Sequence, residues 1–167
     1  TDLKEINAGN GANLSTSKGG FGGITKRDRT KPLIAAITGT AVAGGCEISL
    51  SCDMIVASNE TVFGLPEVKR SLVAAAGGLF RLPRALGMAT AMELITTGDP
   101  LPAQRAYELG MVNKVVDKSD VLDEAKALAS RIMANAPLAV QASRNVASKA
   151  TIDDDSDRWS AGNKAVQ

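Results

Sequence analysis

The chain has 167 residues, and its 19 lysines and arginines against 18 aspartates and glutamates leave a formal net charge of +1. Such a chain has no field that would attract nucleic acid or an anionic membrane surface. With 44% hydrophobic and 22% charged residues, it has the composition of a globular protein and not of a disordered one. We expect a folded cytoplasmic protein with neither a nucleic-acid nor a membrane partner.

The residue types present restrict the chemistry that is available. Histidine is absent, and the only cysteines are Cys46 and Cys52, which do not have a metal-binding or redox spacing. Ser-His and Cys-His nucleophiles and histidine-ligated metal sites are therefore excluded. Any reaction has to use carboxylates, lysines, hydroxyls or the backbone, and we expect neither a metal nor a redox cofactor.

The first elements in chain order are a loop and a strand. Residues 8–23 are rich in glycine, which predicts a mobile surface loop; a phosphate cradle is the less favoured alternative, because no P-loop ending follows. The basic residues between 26 and 31 predict a solvated flank. The short apolar run 33–38 that follows Pro32 predicts a buried strand.

Two further strands are predicted at 54–57 and 61–63, on either side of a turn at 58–60. Residues 41–52, which lie before them, allow two interpretations. Apolar and polar side chains alternate between Cys46 and Cys52, which favours a strand with Glu47 on its polar face. The pair Gly44-Gly45 equally fits the start of a helix.

The second half of the chain has helical periodicity. Leucines at positions 79, 82 and 86 predict one helix, residues 88–95 predict a second, and Gly87 and Gly98 are the expected stops. The remaining predictions are a short helix from Pro102 to Leu109, a strand at 112–116, a helix from 121 to 133 behind the N-cap candidates Ser119 and Asp120, a helix from Pro137 to about Ala150, and a terminal helix that starts near 153–157. This order indicates an α/β or α+β fold.

Glu47 and Glu67 are the strongest candidates for chemistry. Glu47 follows a glycine pair in a small, apolar stretch, and Glu67 follows a strand end that is broken by Gly64 and Pro66. Either carboxylate alone is more often a capping or surface group. Two of them facing one pocket can hold a water molecule and divide the roles of base and acid, if burial separates their pKa values.

Six separated motifs occur in an order and spacing that resemble the enoyl-CoA hydratase/isomerase (crotonase) superfamily. These motifs are Thr1–Glu5, Lys31–Ile37, Ala43–Glu47, Cys52–Asp53, Phe63–Glu67 and Gly77–Leu82. The resemblance implies an α/β fold in which a crotonase-like spiral of ββα turns is followed by a helical trimerisation region. We expect the spiral core at residues 1–97 and the helical oligomerisation region at 98–167, in a homotrimer or a dimer of trimers.

The resemblance also implies roles for individual residues. In this family a helix starts at Gly44, and the backbone N–H groups of Thr1 and Gly44 would form an oxyanion hole for a thioester oxygen. Glu47 and Glu67 would be the catalytic carboxylates. Coenzyme A would be bound around Asp2, Leu3 and Lys4, although an exposed surface role is more common for a lysine such as Lys4.

The implied activity is that of an enoyl-CoA hydratase or 3-hydroxyacyl-CoA dehydratase, with the coenzyme A thioester as substrate and no separate cofactor. Residues 18–25 resemble the carnitinyl-CoA dehydratase subgroup. An enoyl-CoA isomerase, which commonly lacks the counterpart of Glu47, and an inert CoA-binding homologue are the alternatives.

Ala43 and Ala74–Ala76 depart from the family pattern, and Gly77 and Gly78 are expected to permit close helix packing. Family members have segments before Thr1 and beyond Gln167, so we expect the native protein to continue in both directions.

Overall fold

The computed structural model describes residue 9 and residues 14–149, and the structural statements below concern these residues. This part of the chain contains eight β-strands, six α-helices and one further 3₁₀ helix, Pro66–Arg70. The strands are β1 Ser15–Thr16, β2 Gly20–Phe21, β3 Ile34–Ile37, β4 Ala41–Val42, β5 Met54–Ser58, β6 Val62–Gly64, β7 Leu101–Pro102 and β8 Lys114–Val116. The helices are α1 Gly44–Ser51, α2 Gly78–Leu86, α3 Met88–Thr97, α4 Ala103–Glu108, α5 Val121–Met133 and α6 Pro137–Ala147.

Successive turns of the chain stack their strands into two small sheets. One sheet has the order β3-β5-β8, with all its neighbours parallel. In the other, β4 pairs with β6 in parallel and β6 pairs with β7 antiparallel. The chain passes from the first sheet to the second twice, from β3 to β4 and from β5 to β6, and this repetition produces a spiral. The predicted α/β spiral is therefore confirmed.

Strand β5 has hydrophobic clusters on both of its faces. Its Ile55 and Ala57 belong to the main core together with Phe63 and Leu82, whereas Val56 packs in a second cluster with Val121 and Ala125 of α5. Successive side chains of a strand point to opposite faces, so one short strand supports both clusters. No helix in the described part of the chain is both long and apolar enough to cross a bilayer.

Most elements that were predicted from a local pattern are confirmed. Helix α5 has the predicted bounds, and β3, β5, β6 and β8 lie within about two residues of their predicted positions. Gly87, Gly98 and Gly110 follow helices and have positive φ angles of 79°, 68° and 86°, which glycine adopts at little cost. The expected terminal helix near 153–157 lies outside the described residues.

The structure decides between the two interpretations of residues 41–52: only Ala41–Val42 is extended, and the helix α1 follows, as the resemblance implied. Two other predictions are wrong, and one is confirmed only in part. The glycine-rich stretch holds a short hairpin, β1–β2, which is closed by a 2.8 Å bond from the Gly22 N–H to the Leu14 carbonyl. Arg29 is not solvated, since its side chain is 16% exposed and pairs with Asp53. Asp120 occupies the N-cap position but makes no capping hydrogen bond through its side chain.

Candidate active site

Two parallel neighbouring strands, β4 and β6, end side by side. Their register pairs Val42 with Gly64. Strand β4 continues through Ala43 into α1, which carries Glu47 in its first turn, and β6 continues into the 3₁₀ helix, which carries Glu67 in its first turn. Both glutamates thus emerge at the same edge of one sheet, the edge at which open α/β sheets usually bind ligands.

Glu47 is buried and tethered. It is 3% exposed, and its Oε1 accepts hydrogen bonds from the backbone N–H groups of Ala76 at 2.7 Å and Gly78 at 2.9 Å. A buried carboxylate is costly unless such donors satisfy it. Both bonds reach the same oxygen atom, so they also fix the direction in which the carboxylate points.

The absence of a side chain at Gly78 allows this close approach. A β-carbon at Gly78 would lie 2.8 Å from Cδ1 of Leu65 and 3.0 Å from Cγ of Glu47. The expectation that this glycine permits close packing is therefore confirmed. Its second role, as an N–H donor to Glu47, was missed in the sequence, where the double glycine was the only signal for it.

Glu67 is held quite differently from Glu47. It is half-buried, and its Oε2 is buried without a hydrogen-bond partner among the described residues. Burial raises the pKa of the Glu67 carboxyl; a backbone hydrogen bond opposes this rise and the negative charge of Glu47 adds to it. A carboxyl group with a raised pKa can hold and release a proton closer to neutral pH.

Cys46 lies within the electrostatic influence of both glutamates. It is fully buried, and burial is the main cause that raises the pKa of its thiol to about 12, with the charges of Glu47 and Glu67 contributing in the same direction. Its thiol is therefore neutral and is not a nucleophile at physiological pH. The interpretation of Cys46 as a small buried hydrophobe is confirmed.

Helix α1 begins at Gly44, as the family resemblance implied. The N–H groups of a first helical turn have no partner within their own helix, and they lie at the positive end of the helix dipole. Ala43, just before the helix, has φ 52° and ψ −128°, a strained conformation for any residue except glycine. This backbone geometry is a physical reason for the glycine that the family resemblance implies at this position, and Ala43 adopts it with strain.

The glycine-rich hairpin covers the start of α1. A β-carbon at Gly44 would lie 2.5 Å from Cε1 and 2.6 Å from Cζ of Phe21, which shows that the ring rests on the glycine. A β-carbon at Gly22 would likewise lie 3.2 Å from Cδ1 of Ile48. Phe21 is thus a wall against the Gly44 backbone at the start of α1, and sequence reasoning did not identify it as a site residue.

The remaining predicted site residues are Thr1, Asp2, Leu3 and Lys4, all of which lie outside the described residues. Their roles in an oxyanion hole and in coenzyme A binding stay predictions. Within residue 9 and residues 14–149, no three metal-ligating side chains lie close enough together to hold an ion. The described groups that leave this edge of the sheet are thus two carboxylates of unlike environment and a helix start, which the Phe21 ring covers.

The chain is similar to known enzymes along most of its length. The sequence profile described as Enoyl-CoA hydratase/isomerase matches residues 1–166. A carnitinyl-CoA dehydratase from Salmonella enteritidis is 39% identical over 146 residues, which are 87% of this chain and 56% of that protein. The chain therefore spans about half the length of this curated relative.

Solved structures show the same similarity. The crystal structure of an enoyl-CoA hydratase from Mycobacterium marinum has a TM-score of 0.93 and 45% identity, covering 99% of this chain and 65% of that one. A carnitinyl-CoA hydratase from Mycobacterium avium has a TM-score of 0.82 and 39% identity, covering 99% and 66%. The matching profile, these identities and the shared spiral lead to one conclusion: the chain belongs to the enoyl-CoA hydratase/isomerase (crotonase) family.

Proposed function

We propose that the protein is an enoyl-CoA hydratase, which adds water reversibly to a 2-enoyl-CoA and dehydrates a 3-hydroxyacyl-CoA in the opposite direction. The observation that carries this proposal is the pairing of Glu47, tethered by two backbone N–H groups, with Glu67, whose Oε2 has no described partner. Because the two carboxylates have unlike environments, Glu47 is suited to orient a water molecule and Glu67 to hold a proton.

In the proposed reaction, negative charge collects on the thioester oxygen as the enolate forms. The N–H groups of Gly44 and Thr1 stabilise that oxygen, and the loss of one such donor typically costs ~3–4 kcal/mol. Glu47 orients the water that attacks C3 and helps to deprotonate it. Glu67 transfers the proton at C2 or on the water, while Asp2, Leu3 and Lys4 hold the coenzyme A. The reaction needs no cofactor beyond the thioester substrate.

The substrate class follows from the same chemistry. Relatives of this chain are named carnitinyl-CoA dehydratase, and the carnitinyl group has a hydroxyl on its third carbon. Carnitinyl-CoA is therefore itself a 3-hydroxyacyl thioester and falls within the proposed class. We further propose that residues 98–167 serve oligomerisation, giving three or six copies in the cytoplasm, where bacterial CoA thioesters are found.

The direct test is an absorbance assay for loss of the conjugated thioester with crotonyl-CoA, together with dehydration of carnitinyl-CoA, on the full-length protein. Glu47→Gln and Glu67→Gln should each lower kcat by about 10²–10⁴-fold, the usual contribution of a general acid or base. Glu60→Gln, at an exposed glutamate that pairs with Lys118, is the matched control and should keep full activity.

Two outcomes would replace the proposal. If the wild type shifts the double bond of an enoyl thioester, and Glu47→Gln keeps most of that activity while Glu67→Gln loses it, the protein is an isomerase. If the wild type turns over no enoyl thioester and still binds coenzyme A tightly, it is an inert CoA-binding homologue.

A further inference from the structure

Arg81, in the first half of α2, joins the two segments that flank the candidate site. Its Nη1 donates a hydrogen bond to the carbonyl of Ala76 at 3.1 Å, and its Nη2 donates to the carbonyl of Thr25 at 2.6 Å. Ala76 precedes α2, whereas Thr25 follows the glycine-rich hairpin. One guanidinium group thus bridges positions that are far apart in the sequence.

The Ala76 contact acts on the tether of Glu47. In chain order, the Ala76 carbonyl lies between the Ala76 N–H and the Gly78 N–H, which are the two donors to Oε1 of Glu47. Holding the middle carbonyl restricts the rotation of the peptide groups on either side of it. Arg81 therefore helps to keep both N–H groups aimed at the same carboxylate oxygen.

The Thr25 contact acts on the wall above Gly44. Thr25 is 3% exposed, and its N–H donates to the carbonyl of Phe21 at 3.3 Å. The Phe21 ring in turn rests on Gly44. The same arginine is thus linked through Thr25 and Phe21 to the start of α1.

Arg81 has little freedom to move. A β-carbon at Gly77 would overlap its guanidinium group, and its Cζ lies 5.0 Å from the centre of the Phe80 ring. An arginine presents its donors in a rigid planar fork, whereas a lysine offers one flexible point charge. Only the fork can reach two carbonyls in fixed directions at once.

We propose that Arg81 is a positioning residue for the proposed hydration, because it holds the N–H donors of Glu47 and the Phe21 wall in one fixed arrangement. Arg81 acts through the backbone and does not touch the substrate. The proposal rests on the hydratase function for its effect on rate, but its structural part, the fixing of the Ala76 and Gly78 N–H groups, is independent of that function.

The test compares Arg81→Gln and Arg81→Lys with Arg84→Gln in the full-length protein. Arg84 is a suitable control because it is exposed and contacts the same Phe80 ring, with its Cζ 5.2 Å from the ring centre. We expect Arg81→Gln to lower kcat ~10–100-fold, the effect of misplacing a catalytic group by about 1 Å, with KM changed less than about threefold. Arg81→Lys should recover only part of kcat, and Arg84→Gln should match the wild type.

Amide hydrogen exchange gives a readout that needs no activity. The Ala76 and Gly78 amides should exchange roughly tenfold faster or more in Arg81→Gln than in the wild type or Arg84→Gln. Unchanged exchange at both amides would overturn the proposal. A fall in kcat that comes with a lower Tm and a KM raised by a similar factor would also overturn it, because it would indicate a general structural defect. If the wild type has no hydratase activity, the proposed function fails, and the exchange data alone decide whether Arg81 positions these donors.

Discussion

The carboxylates at the two ends of α1 have different partners. Two residues after the last residue of α1, both carboxylate oxygens of Asp53 have partners: Oδ1 lies 3.0 Å from the Arg144 guanidinium and 3.6 Å from that of Arg29, and Oδ2 accepts the Leu33 N–H at 2.8 Å. In its first turn, Glu47 has backbone N–H donors but no ion pair within the described residues, and Glu67 is close enough to raise the energy of a second negative charge.

This contrast indicates a structural role for the C-terminal end of α1 and a functional role for its N-terminal end. Arg144 belongs to α6, so the paired charges near Asp53 attach that helix to the core. If stability were the only requirement, the carboxylates near the N-terminal end of α1 would be expected to have the same complete set of partners. Among the described residues, Oε2 of Glu67 is buried without a hydrogen-bond partner and Ala43 is strained, a combination that is typical of a binding or catalytic site.

The substitution expected to distinguish the two ends of α1 most clearly is Asp53→Asn, which should affect stability but not activity. Removing one partner of a mostly buried ion pair leaves two arginines uncompensated, so the free energy of unfolding should fall by about 3 kcal/mol. Activity per folded molecule should stay close to that of the wild type. Urea unfolding and the crotonyl-CoA assay measure the two quantities.

Asp99→Asn is the matched control for Asp53→Asn. Asp99 pairs with Lys69 at 2.7 Å, but both side chains are about half exposed or more, so Asp99→Asn should lower the free energy of unfolding much less than Asp53→Asn does. The comparison between the helix ends would be refuted if Asp53→Asn abolished activity while leaving the unfolding curve unchanged.

A smaller effect should follow from Gly44→Ala. The new β-carbon would meet the Phe21 ring at 2.5 Å, and such overpacking typically costs ~1–3 kcal/mol of stability. Phe21→Ala should relieve the clash, so the double variant should lose less than the two single variants together. Unfolding measurements on all four proteins form the cycle.

Gly45→Ala provides the control on the neighbouring residue. Nothing lies within 4 Å of a β-carbon at Gly45, so this change should be neutral, or stabilising by about 0.5–1 kcal/mol as expected for alanine in a helix. A strictly additive cycle at Gly44 and Phe21 would show that the ring does not rest on this glycine in solution.

The smallest effect concerns pH and Glu67. Since burial raises the pKa of the Glu67 carboxyl above its ordinary value of 4.5, the group contributes stability that is fully present below that value. This contribution is lost as the pH rises through the pKa of the folded state. Glu67→Gln cannot ionise, so its Tm relative to the wild type should increase from pH 4 to pH 7.5. A difference in Tm that falls over this range would contradict the burial of this carboxyl.

Local signals predicted much of the fold. Helix α5 was predicted because its apolar residues recur at helical spacing, and the helix stops at Gly87 and Gly98 because glycine tolerates positive φ. The hairpin at 15–21 was missed, since its stability depends on packing over α1. At the site, Glu47 and Glu67 were singled out by their glycine and proline neighbours and given roles by the motif resemblance, whereas Phe21 and Arg81 have no local signature that marks their contacts.

The amino-acid sequence by itself determined the strand and helix segments, the glycine stops and the family motifs, because each depends on residues only a few positions apart. The alternating pattern of residues 46–52 left strand and helix open, and only the family resemblance pointed to a helix that starts at Gly44. Only the tertiary structure decided which groups surround Glu47. Its N–H donors come from 29 and 31 residues away, and Arg81 reaches a carbonyl 56 residues away. Such contacts arise when successive turns of the spiral stack, and the periodicity of a short segment carries no information about that stacking.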